Sequence, residues 1–311
     1  MGWSFLFVTA FATILDKPNK PNKPNKPNKP NVFRHQGFPI LANPVINRIV
    51  CGMSAFIPPP KSILRQVGQA ISHFNMIQDG DRILLGLSGG KDSLTLLHVL
   101  HHFQRHAPIN FDLGVITVDP QAGDFDPSPM IPYIESLGLE YHYMQEPIME
   151  MAKEHMGKPS YCAFCSRIKR GIMYSTARKH HYNVLALAQH LDDLAESFLM
   201  SAFHLGKIKT MKAHYTNDDG DLRIIRPLVY MRERQSRDFA LENELPVIAD
   251  SCPACFSMPT QREHMKQLLY KEEQENKNLF KTLLSTLKPI MSEGMPEFEN
   301  EQVVTKKSVS R

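Results

Sequence analysis

With 311 residues, 42% of them hydrophobic, the chain is long enough for one large domain with a small appendage. No apolar run reaches 18 residues, so no membrane-spanning helix is expected. The formal charge of +4 arises at the amino terminus: residues 1–52 hold seven Lys/Arg and one acid, and the remaining 29 bases and 31 acids net −2, which removes any bulk-charge argument for nucleic-acid binding.

The chain opens on an apolar stretch, Gly2 to Leu15, which lacks the basic segment that begins a secretory signal. Lys-Pro-Asn then repeats five times from Lys17 to Asn31. Proline at every third position removes backbone donors and favours an extended, solvated chain. Residues 1–52 therefore read as a low-complexity leader, disordered or translated from upstream of the true start, with Met53 as an alternative start. An export or organelle signal is the other reading. From Pro60 the pattern becomes globular. Ile63, Val67, Ala70, Ile71 and Phe74 recur at helical spacing. Arg82 to Leu87 is a nearly continuous apolar run, as a buried parallel strand requires, and a helix follows through Leu94, Leu97 and Leu100. Phe111 to Val118 predicts a second strand, Met130 to Leu137 a helix, and Leu139 to Met144 a third strand. Ser166 to His181 predicts a helix, Val184 to Ala188 a fourth strand and Asp192 to Phe203 a helix. Leu222 to Leu228 and Pro246 to Ala249 predict further strands, with a helix over Arg232 to Leu241 between them. Strands alternating with helices make this an α/β protein built on a doubly wound parallel sheet. The domain spans 53–287, and the polar stretch 288–311 is expected to be a disordered tail.

Between the first strand and its helix lies Ser88-Gly89-Gly90-Lys91-Asp92-Ser93. Two glycines let backbone N–H groups approach an anion, and the helix N-terminus adds the positive end of its dipole. Ser88 and Ser93 offer hydroxyl donors and Lys91 a charge. The G-x-x-x-x-G-K spacing of the Walker A loop is absent. At the end of the fourth strand, where ligands bind in such sheets, stands Gln189-His190-Leu191-Asp192-Asp193. Its carboxylates, Asp192 and Asp193, suit Mg²⁺ across pyrophosphate oxygens; Asp192 also suits a helix N-cap. Asp119, ending the second strand, is a further candidate near a nucleotide.

Of five cysteines, Cys51, Cys162, Cys165, Cys252 and Cys255, four form two C-x-x-C pairs. Beside a nucleotide loop in a chain of this length, thiolates for metal or redox chemistry in a reducing compartment fit better than a disulfide framework. Cys162 and Cys165 are expected just before a helix whose first turn holds Arg167, Lys169 and Arg170, a setting that favours thiolate. A three-thiolate cluster, a four-thiolate zinc site and a redox disulfide all remain open. Residues 161–234 hold twelve Lys/Arg against seven acids, a strip able to position RNA through its phosphates or simply to face solvent.

The loop Ser88–Ser93 resembles the PP-loop of the ATP pyrophosphatase superfamily, which cleaves ATP to AMP and pyrophosphate. Together with Phe74–Arg82, Tyr161–Gly171, Ile225–Leu228 and Cys252–Cys255, it resembles the tRNA 2-thiocytidine synthetase family, TtcA, over about residues 60–270. The likeness implies ATP held by Ser88, Gly89, Gly90, Lys91, Asp92 and Ser93, with Asp119 and His190 nearby. It implies a [4Fe–4S] cluster on Cys162, Cys165 and Cys255, with Cys252 standing aside, and Mg²⁺ as a further cofactor. Lys169 would polarise the base or stabilise developing negative charge by analogy with related thiolases, with Asp192 and Asp193 as its catalytic companions. The partners implied are tRNA and a cysteine desulfurase as sulfur donor, in the cytoplasm, and a homodimer is compatible with them. The chain departs from the family pattern in carrying Ala188 for its glycine and Gln189 for its first histidine. The rival readings are a PP-loop enzyme with another RNA base or small acceptor, and a zinc-bound RNA-binding module.

Overall fold

Strands that are apolar on both faces must be covered on both faces. Two apolar runs of the domain form β1 (Asp81–Gly86) and β2 (Phe111–Asp119), paired in parallel with Ile83 opposite Leu113 and Leu85 opposite Val115. The structure, a computed structural model, describes residues 56–121, 125–148, 150–151, 161–248 and 261–292. The leader, Cys51, Cys252, Cys255 and the chain after Ser292 lie outside the described residues, as do the side chains of 161–163, including that of Cys162.

The sheet is completed by β3 (Glu140–Gln145), β4 (Val184–Ala186), β5 (His214–Thr216) and β6 (Arg223–Ile225), in the order β3-β2-β1-β4-β6-β5. Every neighbouring pair is parallel except β5 with β6. The helices are α1 (Lys61–His73), α2 (Lys91–His106), α3 (Met130–Ser136), α4 (Tyr161–Lys179), α5 (Leu191–Leu205), α6 (Glu233–Glu242), α7 (Gln261–Glu275) and α8 (Leu279–Met291). Alternate strand residues divide between two cores, as the period of two dictates. Ile83, Leu85, Leu113, Val115, Val184 and Ala186 pack with Val67, Ile71, Leu94, Leu97 and Leu194 on one face. Leu84, Ile116, Val118 and Leu185 pack with Ala177, Ile168 and Ile172 of α4 on the other. Each fully buried Val, Leu or Ile among them contributes about 1.5–3 kcal/mol.

Four expectations need correction. The strand expected over Leu222 to Leu228 is only Arg223–Ile225, because Arg226 N–H turns to the Ala213 carbonyl at 2.8 Å and Pro227 has no N–H to offer. Pro246 to Ile248, expected to lie in a strand, is irregular: Val247 N–H is spent on the Leu245 carbonyl, and Ile248 N–H donates to the Gly89 carbonyl at 2.9 Å. The tail does not begin at residue 288, since α8 runs to Met291 with Leu287 and Met291 buried, and Met291 accepts from Ala213 N–H at 3.0 Å. Cys162 and Cys165 do not precede their helix but lie within α4, as its second and fifth residues.

Candidate active site at the carboxyl edge of the sheet

β1 lies between β2 and β4, and the chain leaves it in opposite directions across the sheet. Such a switch point opens a crevice at the carboxyl ends of the strands. A cleft of about 300 Å³ occupies that crevice. Its walls include Gly86 to Ser88 after β1, Ile116 and Val118 of β2, Leu187 to Gln189 after β4, and Gly90, Asp92 and Ser93 at the start of α2.

The loop after β1 is shaped by its own hydroxyls. Ser93 Oγ accepts from Ser88 N–H at 3.2 Å and donates to the Gly90 carbonyl at 2.9 Å, while Gly90 N–H donates to Ser88 Oγ at 3.3 Å. Gly89 sits at φ +82°, and a Cβ there would come within 2.6 Å of Ile248 Cδ1, so both backbone and packing demand glycine. No side chain caps α2 at Gly90. Its first N–H groups thus face the cleft with the positive end of the helix dipole, a ready-made anion site.

Six of the residues expected at the site line this cleft: Ser88, Gly90, Asp92, Ser93, Lys169 and Asp193. Lys169 reaches it from α4, one turn after Cys165, whose half-buried side chain shares that helix face. Lys169 Nζ also sits 5.8 Å from the centre of the Phe125 ring.

The other expected residues support the walls. Lys91 does not line the cleft; its Nζ pairs with Asp92 at 3.1 Å and Glu233 at 3.0 Å. Burial disfavours its charge, but the two carboxylates outweigh burial and raise its pKa above the ordinary lysine value. Asp192 accepts from Glu233 N–H at 2.8 Å and pairs with Arg232 at 3.0 Å, so its carboxylate braces α5 against α6. His190 caps α5: its Nδ1 accepts from Asp193 N–H at 3.4 Å, and its own N–H donates to Asp193 Oδ2 at 3.0 Å. That arrangement puts the ring proton of the neutral imidazole on Nε2, which lies 3.7 Å from Asp92 Oδ2. Asp119, at the end of β2, accepts from Tyr143 OH and from Gln121 N–H, each at 2.8 Å, and does not line the cleft. Asp92 Oδ1, by contrast, is buried with no hydrogen-bond partner among the described residues.

Sequence reasoning missed three contributors. Arg262 of α7 lines the cleft, 3.4 Å from Asp193 and 3.8 Å from Glu196; no motif marks it, and 69 residues separate it from Asp193. Glu196 is buried one turn behind Asp193; burial, aided by Asp193, pushes its pKa up to about 7. Gln189, visible only as a departure from the family pattern, lines the cleft with its Oε1 accepting from the buried Arg226 Nε at 2.9 Å. The three expected cysteine ligands are not brought together within the described residues, where only Cys165 has a described side chain.

A family model for the PP-loop domain matches residues 61–273. The tRNA-cytidine(32) 2-sulfurtransferase of Geobacter metallireducens is 38% identical over 78% of this chain and 95% of its own length. The protein of the same name from Haemophilus influenzae is 37% identical over 74% of each chain. Among solved structures, the U34-tRNA thiolase NcsA from Methanococcus maripaludis with its [4Fe-4S] cluster matches with a TM-score of 0.61 and 20% identity, over 73% of this chain and 78% of that one. This last likeness establishes the shared fold.

Proposed function

Because the chain belongs to the PP-loop domain family and, within it, to the tRNA-cytidine(32) 2-sulfurtransferases, we propose that the cleft at the carboxyl edge is where ATP and a tRNA cytidine react. The enzyme is an ATP-dependent tRNA sulfurtransferase. The observation that carries the site assignment is the uncapped start of α2 opening on the same cleft as Lys169 and Asp193. ATP phosphates lie on the Ser88–Ser93 backbone. Mg²⁺ suits Asp193 and the unpartnered Oδ1 of Asp92, since Asp192 is already committed to Arg232. The cytidine C2 oxygen attacks the α-phosphorus and pyrophosphate leaves, so the base carries AMP on that oxygen. Sulfide then replaces the oxygen at C2 and AMP departs. Lys169 neutralises negative charge as it develops on the base.

Cys165, half-buried near the N-terminus of α4, supports this reading because it stands one turn from Lys169, which lines the cleft. Cys162, Cys165 and Cys255 would hold a [4Fe–4S] cluster, which when bound supplies the sulfur-transfer chemistry. A cysteine desulfurase in the cytoplasm suits this enzyme as the donor.

Two measurements test the reading. Chromatography of nucleotide products formed with tRNA should show AMP and pyrophosphate; ADP as the main product overturns the adenylation. Single Cys→Ala variants reconstituted without oxygen should lose visible iron–thiolate absorbance at Cys162, Cys165 and Cys255, and keep it at Cys252. Loss at Cys252 as well would mean four thiolate ligands.

A further inference from the structure

Far from the cleft, at the amino end of the edge strand β3, two imidazoles and a carboxylate converge. Glu140 Oε1 lies 3.4 Å from His142 Nε2 and 3.7 Å from His180 Nδ1, and all three ligand atoms fall within 4.8 Å of one another. The two rings are 4.2 Å apart between centroids. A tetrahedral ion with bonds of about 2.1 Å holds its ligand atoms about 3.4 Å apart. The carboxylate–imidazole spacings therefore match the edges of a zinc-sized tetrahedron.

The carboxylate is also aimed. Tyr182 OH donates to Glu140 Oε2 at 2.9 Å, which leaves Oε1 for the histidines, and lies 3.3 Å from His142 Nε2, a contact that an ion on that nitrogen would replace. Tyr182 itself is fixed by a close approach: a Cβ on Gly114 would lie 2.0 Å from its hydroxyl. Metal-binding groups are commonly oriented by such an outer hydrogen-bond partner. A polar cleft of about 320 Å³, lined by Glu140, Tyr182, Arg82 and Asp112, adjoins the group and gives an ion a path from solvent.

We propose that Glu140, His142 and His180 bind a divalent ion of the zinc class, with a solvent molecule as fourth ligand. Nothing in the sulfur-transfer reaction uses these residues. His142 lies on the edge strand and His180 directly follows α4, the helix that carries Cys162 and Cys165 at its other end. The ion would clip that helix to the sheet edge.

Zinc per chain, measured in the full-length protein after zinc equilibration and dialysis, tests this. Wild type should hold one equivalent more than either His142→Ala or His180→Ala, a difference that cancels any zinc on cysteine. Tyr182→Phe should bind this equivalent about 10–100-fold more weakly. Equal zinc in wild type and both histidine variants overturns the proposal. Cobalt(II) added to wild-type chain with its thiols capped by N-ethylmaleimide decides the matter even if the variants fail to fold. Tetrahedral ligand-field bands without thiolate charge transfer are expected, and their absence also overturns it.

Discussion

At the amino ends of the strands Asp81 has both carboxylate oxygens engaged, by Gln78 N–H at 2.7 Å, Asn183 Nδ2 at 3.0 Å and the Arg223 guanidinium. At the carboxyl ends, Asp92 Oδ1 is buried without a partner among the described residues and α2 starts without a cap. Both edges bury charge, but protein engages both oxygens of the Asp81 carboxylate and only one of the Asp92 carboxylate. An unpaired buried polar atom costs about 1–3 kcal/mol, a cost that a bound cation and a polyphosphate would offset at the second edge. Lesions at the two edges should therefore separate stability from chemistry.

The largest effect is expected at Asp81. Replacing it with Ala strands the Arg223 guanidinium and Asn183, and breaking a buried pair costs about 3–5 kcal/mol. Urea denaturation should show that loss, while KM for ATP in the surviving folded fraction stays unchanged. A shifted KM would mean that the two edges are coupled. Gly89→Ala tests the other edge. It forces a side chain to φ +82° and against Ile248, so stability should fall by about 1–2 kcal/mol. Displacing the phosphate loop should lower AMP formation by about 100-fold or more.

Lys169→Ala sharpens the contrast. The side chain is partly exposed and makes no ion pair among the described residues, so stability should move by about 0.5 kcal/mol or less. Thiolation should drop about 100-fold if the ammonium meets charge on the base. Unchanged thiolation would remove Lys169 from the reaction.

The same contrast explains what was legible in the sequence. The phosphate loop is contiguous, flanked by a buried strand and a helix, and its glycines and hydroxyls announce their purpose within six positions. The amino edge was silent because its partners meet only after folding: Asp81 lies 102 residues from Asn183 and 142 from Arg223. Arg262 was hidden for the same reason. The residues around Asp193 were half legible: the paired aspartates marked the place, but which of them lines the cleft depended on Arg232, 40 residues beyond Asp192. The three-residue strands β5 and β6 were blurred because a single antiparallel pair leaves too little alternation to read.

A last contrast separates the edges by pH. Glu196 stands behind Asp193, buried, with its pKa raised to about 7 from 4.5 by burial and by Asp193, against the pull of Arg262 and Lys266. A carboxyl whose folded pKa is raised holds its proton more tightly in the native state than in the unfolded one. Its contribution is therefore fully favourable below pH 4.5, fades as pH rises through about 7, and above that leaves an ionised group held at a cost. Glu196→Gln removes the titration. The variant should match wild type near pH 4.5 and exceed it at pH 8 by about 1–3 kcal/mol in urea melts. A constant difference across that range would show that Arg262 keeps Glu196 ionised throughout. Magnesium and ATP should narrow the gap at pH 8, because a cation beside Asp193 relieves the repulsion that raises the Glu196 pKa. No equivalent narrowing is expected for Asp81→Ala, whose partners lie at the edge that ligand never reaches.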